Sequence, residues 1–284
     1  MIQSTCIARF GKYHRNISIY IDQSDGVYRQ SAVGVCSLRL VFTSENPLFY
    51  GGDEFVEALR ILFCNCNSWR LAHVDLSKLH VKLSNHLMNS LSENHFSTLR
   101  YVDIQNQQWI CMVDPESICR LIRQCVHLQM IFLFYASLDE ACIDALAQVR
   151  FGTSVKAPDR ARLKRLSIVC SRQDKYRAEA IGFFVDIRRE TWLKLYEACP
   201  AMKLTLKFDH RIPADRIRGQ AYQNTLEEIR IQTVISKALE DVLVDLVAST
   251  AHTLRLFAIG QEISSRTRSK IIRTAPKCRF FFIA

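Results

Sequence analysis

The stretch Leu99-Arg-Tyr-Val-Asp-Ile104 decides how the chain is read, because its spacing L-x-x-L-x-L keeps returning. Copies stand at Leu71/Val74/Leu76, Leu128/Ile131/Leu133, Leu163/Leu166/Ile168, Leu226/Ile229/Ile231, Leu254/Phe257/Ile259 and Cys278/Phe281/Ile283. Position one of the template also falls at Val35 and Ala201, and a weaker first copy surrounds Ile17, Ile19 and Ile21. A short strand repeated in this way cannot bury its apolar side alone, so each unit must stack on its neighbours.

Between the strands runs a second period, with apolar residues at i, i+3, i+4 and i+7, one face of a helix. It appears at Phe55/Ala58/Leu59/Leu62, Ile118/Leu121/Ile122/Cys125, Trp192/Leu195/Tyr196/Cys199 and Leu239/Val242/Leu243/Leu246. Start signals agree in two places: Asp114 ahead of Pro115 as cap and first helical residue, and Ser137 with Glu140 as a capping box. Successive template starts lie 24 to 38 residues apart. Leucine-rich repeats run about 20 to 29 residues, so the three longest gaps carry insertions. The expected fold is therefore α/β, a leucine-rich-repeat solenoid or horseshoe of irregular strand-helix units with parallel strands on its concave face. It is expected to be one domain over 1–284, with irregular first repeats in 1–68 and clearer ones in 69–284.

A doubly wound sheet would use similar unit lengths, but strands covered on both faces read as continuous apolar runs. Leu226-Glu-Glu-Ile-Arg-Ile231 and Leu163-Lys-Arg-Leu-Ser-Ile168 instead alternate with polar residues, so one sheet face must be wet. The Rossmann glycine fingerprint is missing too. At one strand the register has two readings. A start at Ala201 buries Leu204, Leu206 and Phe208, whereas a start at Met202 would bury Thr205 and Lys207; the first is preferred because a one-residue slip flips every side chain.

With 49% hydrophobic residues the chain can build a packed core, and 9 glycines and 6 prolines leave little for phosphate-cradling loops or long linkers. No apolar stretch approaches the roughly 20 residues of a membrane span, and Met1–Arg15 lacks the apolar run of a signal peptide. The 11 cysteines fall mostly at apolar positions, as reduced and buried thiols of a cytoplasmic or nuclear protein would. Net charge is +10, and half of it is local: Arg266, Arg268, Lys270, Arg273, Lys277 and Arg279 face only Glu262 in the stretch 261–284. Such a run reads first as a solvated helix face and second as an anionic site.

Alternation along the strands sends positions three, five and seven to the open face. These are His73, Asp75, Tyr101, Asp103, Met130, Phe132, Phe134, Arg165, Ser167, Lys203, Thr205, Lys207, Glu228, Arg230 and Gln232. Met130, Phe132 and Phe134 would form an apolar patch beside Arg165 and Lys203, the composition of a protein-binding hot spot. The competing reading is that the insertion Ser171–Arg188, which carries Phe183 and Phe184, covers them as core. Cys64-Asn-Cys66 with His73 or His80 matches structural zinc spacing poorly, and those cysteines read better as packing the helix end after Leu62. No metal or cofactor is called for. Nor does any nucleophile elbow, Walker loop, H-E-x-x-H or paired-carboxylate signature appear, so the chain reads as a binding protein and not as an enzyme.

A helix ending in Cys125 or Cys199 with the next strand two or three residues on, and above all Leu195-Tyr-Glu-Ala-Cys-Pro200, resembles the seam of F-box leucine-rich-repeat proteins. Arg9-Phe-Gly-Lys-Tyr-His14, Thr191-Trp-Leu-Lys-Leu195 and Cys278-Arg-Phe-Phe-Phe-Ile283 resemble the F-box-only subgroup with degenerate repeats. The resemblance implies a substrate receptor of a cullin-RING ubiquitin ligase, holding a target protein on its concave face. Its F-box would dock on a Skp-type adaptor. That module is not found between Met1 and Tyr13, so the adaptor is expected only for a longer form. The alternative is nucleic-acid or acidic-lipid binding through the basic stretch Arg266, Arg268, Lys270 and Arg273, ranked second because no recognised nucleic-acid motif interleaves aromatics with the cations.

Overall fold

A computed structural model of the chain describes residues 17–23, 34–42, 53–65, 69–79, 81–105, 113–148, 163–170, 187–208, 226–231, 237–260 and 262–282. Two compact units divide it, Met1–Phe132 with Ser154–Ala161 and Leu133–Thr153 with Arg162–Ala284.

In the first unit the elements run β1 (Ile17–Gln23), β2 (Gly34–Phe42), α1 (Asp53–Cys64), β3 (Trp69–Lys78), α2 (Asn85–His95), β4 (Tyr101–Asp103), α3 (Pro115–Gln124) and the start of β5 (Met130–Phe134). Strands β2, β3, β4 and β5 pair in chain order and in parallel, with Val74 opposite Val102 and Val102 opposite Ile131. Strand β1 departs from the expected repeat. It pairs antiparallel with β2, Ile17 opposite Phe42 and Gln23 opposite Cys36, so Ile17/Ile19/Ile21 is an arm of an antiparallel pair and not a first copy. Alternating apolar residues specify a strand but say nothing of its direction.

The second unit continues with a 3-10 turn at Tyr135–Ser137, α4 (Glu140–Gln148), β6 (Arg165–Cys170), α5 (Arg189–Ala198), β7 (Lys203–Phe208), β8 (Leu226–Ile231), α6 (Lys237–Thr250), β9 (Leu256–Ile259), α7 (Ser265–Thr274) and β10 (Arg279–Phe282). Strands β6 to β10 again pair in parallel and in chain order. Strictly sequential order has no point at which the winding reverses, which a doubly wound sheet requires. Parallel strands alternating with helices, apolar on one face and mixed on the other, are the architecture of a leucine-rich-repeat solenoid.

What repeats most faithfully is the join between helix and strand. Cys125 bonds its N–H to the Leu121 carbonyl and its own carbonyl receives the Leu128 N–H at 3.0 Å; Cys199 does the same with Leu195 and Met202, and Ala275 with Ile271 and Cys278. His95 and Thr250 occupy this place in two other units, their carbonyls receiving the N–H groups of Leu99 and Leu254. All five are buried. The place faces the crowded passage from helix to sheet, so a residue there is small or must bond its polar atoms.

After the buried residue that closes this join the strand starts one residue on or at once, and the count decides which side chains face the core. Leu254 is followed by Arg255 before β9 starts at Leu256, and Phe257 and Ile259 then face inward. Cys278 is followed directly by β10, so Phe280 lies opposite Phe257 and Phe282 opposite Ile259. The template Cys278/Phe281/Ile283 is thus off by one: Phe280 and Phe282 take the core side, and Phe281 is 55% exposed. At β7 the preferred register holds, with Leu204 opposite Leu166 and Leu206 opposite Ile168, but Met202 and not Ala201 is the buried residue ahead of the strand.

All four helices read from periodicity are present, as is the Asp114 cap, whose Oδ1 accepts the Ser117 N–H at 2.8 Å. Asp114 also exchanges hydrogen bonds with Asn85 at the start of α2. Asp114→Ala is expected to cost about 1 to 2 kcal/mol, read as a lowered urea midpoint, whereas Asp114→Asn should recover most of it. The Ser137/Glu140 capping box does not form. Asp139 caps α4 by accepting the Cys142 N–H at 2.8 Å, while Glu140 binds Arg188. Ser137 ends the 3-10 turn, two residues too early to serve as cap.

Candidate protein-binding surface

In the first unit the open side of the sheet carries an aromatic row. The rings of His73 on β3 and Tyr101 on β4 stack at 3.8 Å and 7°, and Phe132 on β5 lies 5.1 Å from Tyr101. The row follows from register: His73 stands opposite Tyr101 and Tyr101 opposite Met130, while Asp75, Asp103 and Phe132 form the next rank. His73, Tyr101, Met130 and Phe132 are all half-buried. Asp75 accepts the Ser77 N–H and hydroxyl, and Asp103 accepts the Gln105 N–H and the Tyr101 hydroxyl. Both carboxylates are buried, fixing the strand ends beside the aromatic row instead of standing out from it.

The apolar trio expected from sequence is reduced to two. Phe134 is fully buried, because β5 ends there and the chain turns into the 3-10 helix at Tyr135, which breaks the alternation that would have turned it outward. The covering role assigned to Ser171–Arg188 falls almost wholly outside the described residues, as does Gln232. Of that insertion Ile187 is buried, and Arg188 donates from its guanidinium and its backbone to Glu140 at 2.7 to 3.0 Å. Those bonds hold the Glu140 carboxyl below the usual glutamate range.

In the second unit the open side is ionic. Arg165, Lys207 and Glu228 are half-buried, Lys203 and Arg230 are exposed, and Ser167 and Thr205 are buried. The last two are short side chains in one rank with Glu228, sheltered between longer neighbours. Glu227 Oε1 lies 3.1 Å from Lys203 Nζ and 3.4 Å from Arg255 Nε, and Glu228 pairs with Arg230. Of the Glu227 triad only Lys203 was foreseen on the open face: Glu227 sits at an off-alternation position near the start of β8, and Arg255 just ahead of β9.

The basic residues of α7 divide by helix geometry. At 100° per residue Arg266, Lys270 and Arg273 fall on one face, opposite buried Ile271, whereas Arg268 points elsewhere and lies 4.6 Å over the Phe282 ring. The helix is fixed at its start by Ser264, which caps the Thr267 N–H and bonds Glu240 of α6 through both its N–H and its hydroxyl. Hydrogen bonds from Ser264 and then Thr267 keep the Glu240 carboxyl low.

Cys64 does not pack the end of α1 as expected; it is exposed, its thiol within reach of Arg60 and Asn94. Cys66 and His80 lie outside the described residues. No helix among the described residues is long and apolar enough to cross a membrane.

No protein-family model matches the chain. It is similar to human F-box/LRR-repeat protein 8, with 28% identity over 186 residues that cover 66% of this chain and 45% of that protein. The chain therefore spans about half the length of the curated relative it matches.

Proposed function

We propose that the protein is an interaction scaffold whose open sheet face holds a target protein, in the manner of the substrate-recognition subunit of an SCF-type ubiquitin ligase. The observation that supports the reading best is the row His73, Tyr101 and Phe132 with Met130, aromatic and thioether surface set on rigid strands beside fixed carboxylates. Amphipathic rings held on a stiff support lose little entropy when a partner covers them, which is why they dominate protein-binding hot spots. The similarity to an F-box/LRR-repeat protein supports the same reading. One leucine-rich-repeat domain over 1–284, located in cytoplasm or nucleus, fits this role. Catalysis would belong to other subunits, and a Skp-type adaptor would join only a form that carries an F-box.

Capture of tagged protein from cells, compared with the double variant Tyr101→Ala/Phe132→Ala, tests it. Each truncation is expected to weaken the target at least about tenfold, while the half-exposed positions leave the thermal midpoint nearly unchanged. An identical set of captured proteins from a folded double variant would overturn the reading. The open-face residues Asp103, Arg165, Ser167, Lys203, Thr205, Lys207, Glu228 and Arg230 are proposed as its polar surroundings. A second reading, nucleic-acid or acidic-lipid binding by α7, draws on the face formed by Arg266, Lys270 and Arg273; it requires affinity that falls steeply with added salt.

A further inference from the structure

We propose, on the basis of the open-face reading above, that the open face of the second unit binds an acidic segment of the target protein, extended, with two carboxylate side chains four residues apart. Register places like charges side by side there. Arg165 of β6 stands opposite Lys203 of β7, and Lys207 of β7 stands opposite Arg230 of β8. Directly opposed like charges destabilise a sheet, whereas opposite signs at the same places would stabilise it. Two cation pairs in neighbouring ladders therefore call for a reason outside the sheet.

The acids of this face lie beneath its cations. Leu204 pairs with Leu226 but Thr205 pairs with Glu228, so Glu227 is the extra residue at a register shift and β8 carries two successive carboxylates. Glu227 pairs with Lys203 at 3.1 Å and with Arg255 at 3.4 Å, and Glu228 pairs with Arg230. The Glu227 and Glu228 side chains are only 16% and 18% exposed, against 52% for Lys203, 52% for Arg230 and 76% for Arg255. A partner thus meets the cations first. Arg165, half-buried, joins no ion pair among the described residues.

Spacing decides which anion fits. Lys207 lies four residues beyond Lys203 on β7, about 13 Å at the rise of a strand. Between the two cation pairs the floor is made of Ser167 and Thr205, short and buried. An extended polypeptide covers that distance in four residues, so two of its acidic side chains reach both pairs while a small residue midway faces the floor. A nucleic-acid strand carries a phosphate about every 3.4 Å and would force negative charge onto the rank of Glu228 between the pairs.

Fluorescence anisotropy of the whole chain with a labelled peptide that carries two glutamates four positions apart, serine midway and alanine elsewhere tests the proposal. Saturable binding is expected, at least about tenfold weaker for Arg165→Gln/Lys207→Gln and for a peptide with its two glutamates adjacent. The same double variant should keep or raise the thermal midpoint, because it removes one charge from each like pair; a lowered midpoint would mark the cations as structural and overturn the proposal. Equal binding of the adjacent-glutamate peptide or of the lysine counterpart, or tighter binding of a thymidine oligonucleotide, also overturns it. Tyr101→Ala/Phe132→Ala should leave the affinity for the peptide unchanged. A peptide that fails to bind, while captured targets still depend on Tyr101 and Phe132, overturns this site and leaves the open-face reading standing.

Discussion

Lowering the pH from 7 to 4 is expected to remove about 3 kcal/mol of stability through His95 alone. The imidazole is fully buried at the end of α2, edge-on to Phe63 at 5.8 Å, and its Nδ1 accepts the Leu71 N–H at 3.0 Å. Burial, aided by the charge of Arg70, lowers its pKa from 6.5 to about 4. Below pH 6.5 the unfolded chain takes up a proton that the folded chain refuses until about 4. The unfolded state is then the one bound to more protons, so stability falls as the pH falls across that window and is complete above it. Urea titrations at pH 7 and pH 4 measure the effect, with His95→Asn as control, since Asn Oδ1 can replace the Nδ1 acceptor without titrating. The wild type should lose about 3 kcal/mol more than the variant between the two pH values. Equal losses would show that the imidazole is already charged in the fold. His95→Ala leaves the Leu71 N–H buried without its acceptor and should cost about 2 to 4 kcal/mol at pH 7.

The second large effect is expected at Trp192, the largest fully buried side chain among the described residues, on α5 of the second unit. Trp192→Ala should cost about 3 to 5 kcal/mol, the usual result of emptying an aromatic site in a core. Trp192→Phe should stay within about 1 kcal/mol of the wild type, although it also removes buried surface. The reason is that the indole Nε1 is buried with no hydrogen-bond partner among the described residues. Deleting an unpaired buried donor recovers free energy that offsets part of the lost packing. A phenylalanine variant as damaged as the alanine one would mean that the indole N–H is bonded in solution.

The parts of this fold that the sequence announces are those where hydropathy contrast is high. Helices α1, α3, α5 and α6 show their period because their buried faces are leucine, isoleucine and aromatic. Helix α2 was not foreseen, since Ser90, Ser92 and His95, whose polar atoms bond to backbone, share its buried face with Leu87, Met88 and Leu91 and cut the apolar stripe short. At β10 the run Phe280-Phe281-Phe282 is apolar on both faces, so alternation carries no register there. Phe134 defeats the pattern differently, because a strand's end is set by the turn that follows it and not by its own side chains. The candidate surface was legible in part: Tyr101, Met130 and Phe132 follow from repeat register, whereas the stacking of His73 onto Tyr101 depends on two strands meeting and could only be seen in three dimensions.

The joins between helices and strands also make the molecule readable by chemistry. Cys125 and Cys199 occupy two of them and Cys278 adjoins a third, while Cys119 and Cys142 lie within helix cores; all five are buried. Burial pushes the Cys125 thiol up to about 12 and the Cys278 thiol up to about 11, far from the thiolate that reacts with alkylating reagents. Cys64, by contrast, is exposed. A thiol reagent should therefore mark Cys64 at once and these five only as their own unit opens, so that peptide mapping over time would report, unit by unit, the order in which the array comes apart.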